Sequence, residues 1–234
     1  MNKLNLKDVT AFCIDDISPS KAHEVLSDAS QKINFGAVKL FTSHDEPWAT
    51  DKLERPINSL YDYSLFAINE LKNHIDTEFA LCIQRDGYPV NISAWTDRFL
   101  EFDYIGAPWF WVPAYLRDKT CSVGRCVGNG GFSIRSKKIM EAAAKYDFAG
   151  RWKELRELDK EAPDKDILNE DVFICREIAS ELEAEGIQFA PVELAAFFSI
   201  ENMMYTGQFG FHGFNTYDLN QKIGIFKDAK QNNK

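Results

Sequence analysis

A chain of 234 residues, 45% hydrophobic and 27% charged, suffices for one α/β domain with a substantial core or for two small ones. A formal net charge of −9 disfavours nonspecific attachment to nucleic acid or to an anionic membrane, although a local basic cleft stays open. Five cysteines is an odd number, and Cys121 and Cys126 are too far apart for a CxxC pair, so reduced, buried thiols in a cytoplasmic protein are expected.

The first ten residues carry no signal-type apolar core, and no later run approaches a membrane span. No repeat is present. The expected organisation is one domain over residues 1–226 with a flexible tail, 227–234. Residues 9–14 (VTAFCI) read as a first strand, ended by Asp15-Asp16. Ser18-Pro19 opens a helix, with Ser18 at the N-cap and an apolar stripe at Ala22, Val25, Leu26 and Ala29. Residues 35–41 form a second strand, followed by Thr42-Ser43, and this βαβ opening implies a parallel sheet. Residues 61–74 have helical spacing at Leu65, Ile68 and Leu71. Residues 79–83 (FALCI) are apolar at every position, as in a strand covered on both faces. That strand stops at Gln84-Arg85-Asp86-Gly87, where open α/β sheets bind ligands; an ordinary turn exit is the alternative.

Residues 95–102 (WTDRFLEF) read as a short amphipathic helix. The aromatics around Trp109 either pack on the sheet edge or form a wall for a sugar or base. Gly128, Gly130 and Gly131 allow unusual backbone conformations and close approach. This loop is neither a dinucleotide fingerprint nor a Walker loop. Residues 132–134 enter the core as a strand, and 137–146 are helical. Asn169-Glu170-Asp171 stands at the start of a further helix, either as an acidic first turn or as a functional pair. Residues 187–191 suggest an edge strand. His212, among glycines and aromatics, is either a structural residue or a ligand.

Taken in order, the segments QRDGY, YIGAPW, VGNGGFSIRS, NEDVF and FGFHG resemble a small GT-A-like family, within the GT-A class of nucleotide-sugar glycosyltransferases. The resemblance covers nearly the whole chain. It implies an α/β fold with a Rossmann-like, mostly parallel central sheet flanked by helices. It also implies transfer of a sugar from a nucleotide-sugar donor, a UDP-sugar first, to an acceptor hydroxyl with inversion.

Under that resemblance Asp86 and His212 would hold Mn²⁺ or Mg²⁺ on the donor diphosphate. Gln84 replaces the first Asp of the Asp-x-Asp element, which weakens the expected metal dependence, and would reach the ribose or a metal-bound water. Asp15, Thr42 and Ser43 would recognise the nucleoside. Asp171 would be the general base and Glu170 would bind the acceptor, with Trp109, Asn129 and Gly130 shaping the acceptor side. The expected acceptor is a glycan. A hydroxymethylated DNA base is the alternative, using Arg117, Lys119, Arg125, Arg135, Lys137 and Lys138 as a phosphate track. A non-catalytic nucleotide- or sugar-binding module is the other.

Overall fold

In the computed structural model, residues 3–109, 127–161, 163, 167–201 and 205–213 are described. The chain begins with β1 (Leu4–Ile14), α1 (Pro19–Lys32) and β2 (Ile33–Thr42), then β3 (Asp51–Lys52), α2 (Leu60–Asn69), β4 (Phe79–Ile83) and β5 (Gly87–Pro89). It continues through β6 (Tyr104–Ile105), β7 (Phe132–Ser136), α3 (Lys137–Ala143) and α4 (Phe148–Leu158). After the short α5 (Glu170–Val172) and a π turn (Phe173–Glu177) come α6 (Ala179–Ala184), α7 (Val192–Phe198), β8 (Ser199–Glu201) and β9 (Gly210–His212).

The result is a mixed α/β domain. A six-stranded sheet runs in the order β3-β2-β1-β4-β7-β6, and a smaller sheet runs β5-β9-β8. Strict alternation along the two central strands divides the core. Val9, Ala11 and Cys13 of β1, with Leu81 and Ile83 of β4, pack with Ala22, Leu26 and Ala29 of α1. Phe12, Ile14, Ala80 and Cys82 point the other way, towards Tyr63, Phe66 and Ala67 of α2 and Met140 of α3. Helices on both faces explain why β4 is apolar throughout.

They do not require its neighbours to be parallel. β1 pairs parallel with β2 and β4, and β2 with β3. β7 runs antiparallel to both β4 and β6, so the sheet is mixed, and the expected parallel arrangement holds only over β3-β2-β1-β4. A two-sided apolar strand reports its burial and not the direction of its neighbour.

Other expectations also shift. β1 starts at Leu4, its polar first half pairing with β2 before a register change between Leu6 and Thr10. Ser18 precedes α1 without a side-chain cap; Asp15 Oδ1 instead accepts the N–H groups of Ile17 and Ser18, at 2.8 and 2.7 Å. Residues 95–102 form no α-helix: Asp97–Leu100 is a single tight turn opened by Thr96. The helix opened by Glu170 does not run on regularly, because Phe173, Ile174, Cys175 and Arg176 are all buried, and four consecutive inward residues do not fit one face of an α-helix. Residues 187–191 contribute one bridge, Phe189 to Tyr104. Among the described residues no helix is long and apolar enough to cross a membrane. Residues 227–234, the aromatics Phe110 and Trp111, and Cys121 and Cys126 lie outside the described residues.

Candidate functional site

The C-terminal ends of β1 and β4 open onto a cavity of about 360 Å³, lined by Asp15, Asp16, Ile57, Gln84, Arg85, Asp86 and His212 among others. A second, of about 380 Å³, is lined by Trp109, Asn129, Asn169, Glu170, Asp171 and Glu201. Both are walled by Leu60, Tyr63, Gln84 and His212, so they adjoin across these side chains.

His212 stands at the junction. β9 pairs with β5, placing His212 opposite Gly87 and therefore beside Asp86. Its Nε2 lies 3.3 Å from Asp86 Oδ1 and 3.1 Å from Gln84 Oε1. Its Nδ1 lies 3.3 Å from Glu201 Oε1 and 2.9 Å from the Asn129 amide nitrogen. Burial disfavours the charged ring, but the carboxylates of Asp86 and Glu201 outweigh it and raise the pKa to about 9. That shift favours the imidazolium, whose N–H groups face Asp86 and Glu201, whereas a neutral ring accepts the Asn129 Nδ2–H at Nδ1. Burial likewise pushes the Asp86 and Glu201 carboxyls up, and the hydrogen bonds from His212 pull both below the usual range.

The glycine-rich loop supports these side chains by close approach. A Cβ on Gly131 would overlap the His212 ring, one on Gly128 the Trp109 ring, and one on Gly130 the Glu170 carboxylate. The left-handed backbone position is not a glycine here but Asn129, with φ 58°. Asn129 caps its own turn, its Oδ1 accepting from Phe132 N at 3.1 Å.

The acidic pair divides its work. Glu170 is buried and bound to Arg135 Nη2 at 2.9 Å, and the Arg135 side chain is only 1% exposed. Asp171 accepts from Gly130 N (2.8 Å) through Oδ2 and from Val172 N (2.8 Å) through Oδ1. Burial, reinforced by the neighbouring Glu170 charge, raises the Asp171 pKa to about 7 despite those two bonds. Asn169, on the same cavity wall, has a buried Oδ1 with no hydrogen-bond partner among the described residues.

The structure thus brings Asp15, Gln84, Asp86 and His212 to one cavity, and Trp109, Asn129, Glu170 and Asp171 to the adjoining one. Gly130 reaches the second through its N–H to Asp171. Thr42 is fully buried, its hydroxyl donating to Asp16 Oδ1 at 2.7 Å, and the Ser43 N–H binds the same oxygen. Neither lines the cavity. Trp109 is buried and donates through Nε1 to Glu201 Oε2 at 2.6 Å, with the Arg176 guanidinium 5.5 Å from its ring.

Sequence reasoning passed over Asp16, Tyr63, Arg85 and Glu201. Asp16 and Arg85 each adjoin a chosen residue at a strand end, which was a usable signal. Glu201 closes an apolar segment, and nothing in the sequence pairs it with His212.

The family resemblance implies a divalent cation, and the donor set fits one. Nε2 of His212 lies 3.3 Å from Oδ1 of Asp86 and 3.1 Å from Oε1 of Gln84. That is roughly the ligand–ligand spacing of an octahedron with bonds of about 2.1–2.2 Å. Carboxylate, amide and imidazole donors suit Mn²⁺ or Mg²⁺. Glu201 at Nδ1 is the carboxylate that would orient the imidazole if a metal were bound. The fit requires His212 to shed its Nε2 proton. It also requires Gln84 as a donor, since among the described residues no group of three or more His, Cys, Asp and Glu could hold a metal.

A single α/β domain with its chemistry-bearing side chains at the ends of central strands is what the geometry defines. Residues 50–212 match the family described as "Protein of unknown function (DUF5672)", and the chain belongs to that family. No curated protein matches the chain. Among solved structures, one that is similar is described as a glycosyltransferase involved in the glycosylation of the major capsid of PBCV-1. It is 14% identical, with a TM-score of 0.42 over 93% of this chain and 98% of that one.

Proposed function

We propose that the protein is a glycosyltransferase that moves a sugar from a nucleotide-sugar, a UDP-sugar first, to a glycan hydroxyl, with inversion. The observation that carries this reading is a half-buried carboxylate, Asp171, held by two backbone N–H groups with its pKa raised to about 7, in a cavity that adjoins the strand-end cavity across Gln84 and His212. The strand-end cavity takes the nucleoside diphosphate and the other takes the acceptor.

The acceptor hydroxyl is a weak nucleophile. Asp171 accepts its proton as the acceptor oxygen bonds to the anomeric carbon and the bond to the diphosphate breaks, a contribution of about 10²–10⁴-fold. The two backbone N–H groups hold the carboxylate still, and each of its oxygens keeps a lone pair for the hydroxyl. Glu170 supports this arrangement through Arg135 rather than by touching the acceptor. A bound Mn²⁺ or Mg²⁺ at Asp86, Gln84 and His212 would supply Lewis-acid stabilisation of the departing diphosphate.

A glycan acceptor is favoured over DNA. Arg135 is committed to Glu170, and Lys138 reaches Asp103 and the Gly186 carbonyl. Arg117, Lys119 and Arg125 lie outside the described residues. Of the proposed phosphate track, Lys137 and the largely exposed Lys138 are left among the described residues.

The test is release of nucleoside diphosphate from a panel of nucleotide-sugars, with and without glycan acceptors. Slow donor hydrolysis that is lost in Asp171→Asn supports the reading. Binding without turnover for every donor makes the protein a non-catalytic module. Salt-sensitive binding to hydroxymethylated duplex DNA, with sugar transfer to it, restores the DNA acceptor.

A further inference from the structure

Among the described residues that line the strand-end cavity, Arg85 is the cation whose charge no proposed step uses. Its Nη1 donates to Asp15 Oδ2 at 2.7 Å, and Asp15 is itself fixed by the N–H groups of Ile17 and Ser18. The Asp15 side chain is 2% exposed and that of Arg85 is 29% exposed, so a buried carboxylate holds a half-buried guanidinium at the cavity wall. A guanidinium has five N–H donors, and the hydrogen bonds of the described residues occupy one of them.

The acids around it are already engaged. Asp86 pairs with His212. Asp16 accepts from Thr42 Oγ1, Ser43 N and Ile57 N. Asp15 has both oxygens filled. Arg85 therefore brings charge-assisted donors to the cavity, fixed in place before any ligand arrives. Planar, paired N–H donors match phosphate oxygens better than a lysine does.

We infer that Arg85 is the residue that binds the donor's diphosphate, and that Asp15 is the positioning residue that aims it. Asp15 on this view never touches the nucleoside. The inference rests on the nucleotide-sugar reading for the identity of the ligand, but not for the chemistry of the contact, which any diphosphate shares.

The experiment is calorimetry on the full chain with inorganic pyrophosphate, UDP and uridine, each with Mg²⁺ and again in EDTA. Arg85→Gln should weaken pyrophosphate and UDP by at least 10-fold and leave uridine unchanged. Arg85→Lys should retain part of the binding. Asp15→Asn keeps an oxygen for Ile17 and Ser18 but removes the charge facing Arg85. It should weaken both phosphate ligands by an intermediate factor. Melting curves identify any variant that fails to fold, and the lysine variant then carries the comparison.

Wild-type pyrophosphate affinity in folded Arg85→Gln overturns the inference, as does failure of the wild type to bind either pyrophosphate or UDP. Arg85-dependent pyrophosphate binding, with no nucleoside diphosphate binding more tightly than pyrophosphate itself, would uphold the inference while removing the nucleotide-sugar reading.

Discussion

Gly131→Ala should displace His212 and return its titration towards neutrality. The new Cβ would lie 2.6 Å from His212 Cε1, the farthest of the three ring atoms it meets. Ordinary contact begins near 3.4 Å, so the ring must withdraw by about 1 Å. In the native site each ring nitrogen is 3.3 Å from a carboxylate oxygen. At an effective dielectric constant of about 20, each such pair contributes roughly 5 kcal/mol of attraction. Burial of the imidazolium returns most of this. The rise from 6.5 to about 9 leaves roughly 3 kcal/mol favouring the charged ring.

Lengthening both contacts by about 1 Å weakens each by roughly 1 kcal/mol and brings the pKa down to roughly 7–8. Because the folded pKa lies above the unfolded one, the ring's contribution to stability is complete below about 6.5. It disappears as pH rises through about 9. The stability gap between wild type and variant should therefore narrow across that window, above a constant overpacking cost of about 1–3 kcal/mol. The assay is an imidazole NMR titration, with the His212 signal assigned through His212→Gln among the chain's four histidines. Urea midpoints at pH 6 and pH 9.5 complete it. A wild-type His212 that titrates near 6.5, or a Gly131→Ala variant still titrating near 9, refutes the reasoning.

Asp171→Asn should keep donor affinity and lower turnover by about 10²-fold or more; in the wild type kcat/KM should rise with pH as Asp171 ionises around 7, and that limb should be missing from the residual activity of the variant. Glu170→Gln leaves Arg135 buried without its anion and should cost about 3–5 kcal/mol in denaturant unfolding, while Glu170→Gln with Arg135→Met should recover a large part of that loss. Burial raises the Asp16 carboxyl, but the bonds from Ile57, Thr42 and Ser43 lower it further, so its contribution is present above about 3.8 and is lost as pH falls through its depressed value. Asp16→Ala should accordingly cost about 1–3 kcal/mol at pH 7, measured by thermal melting, with a smaller difference from wild type in strong acid.

Much of the large sheet was legible because β1, β2 and β4 carry their burial in their composition, and the strand-end turns QRDG and TS mark where the sheet stops. Its direction at β7 was not legible, since FSIRS reads the same either way. The structure brings the candidate residues into two adjoining cavities, and several have partners that the sequence did not show. Asp15 and Thr42 sit at strand ends, as expected, yet hydrogen bonds over 70 and 26 residues of sequence separation tie them to Arg85 and Asp16. Arg135 looked like a surface cation within a basic stretch. That it neutralises Glu170 depends on a contact across 35 residues. No local pattern carries such pairings, because each partner taken alone is an ordinary polar residue.

The strands of the larger sheet are all in place once the chain has reached Ser136, whereas His212 arrives on β9, a three-residue strand of the smaller sheet. The bond from His212 to Gln84 closes a separation of 128 residues. His212 is therefore the last member of the wall between the two cavities to be synthesised, and until it arrives its charge is missing from between Asp86 and Glu201. β9 is held to β5 and β8 by only three residue pairs on each side. Releasing it takes His212 out of the shared wall and leaves Leu60, Tyr63 and Gln84 there. Amide exchange at Phe211 and His212 should accordingly outpace exchange along β1 and β4, reporting an opening that costs far less than unfolding the domain.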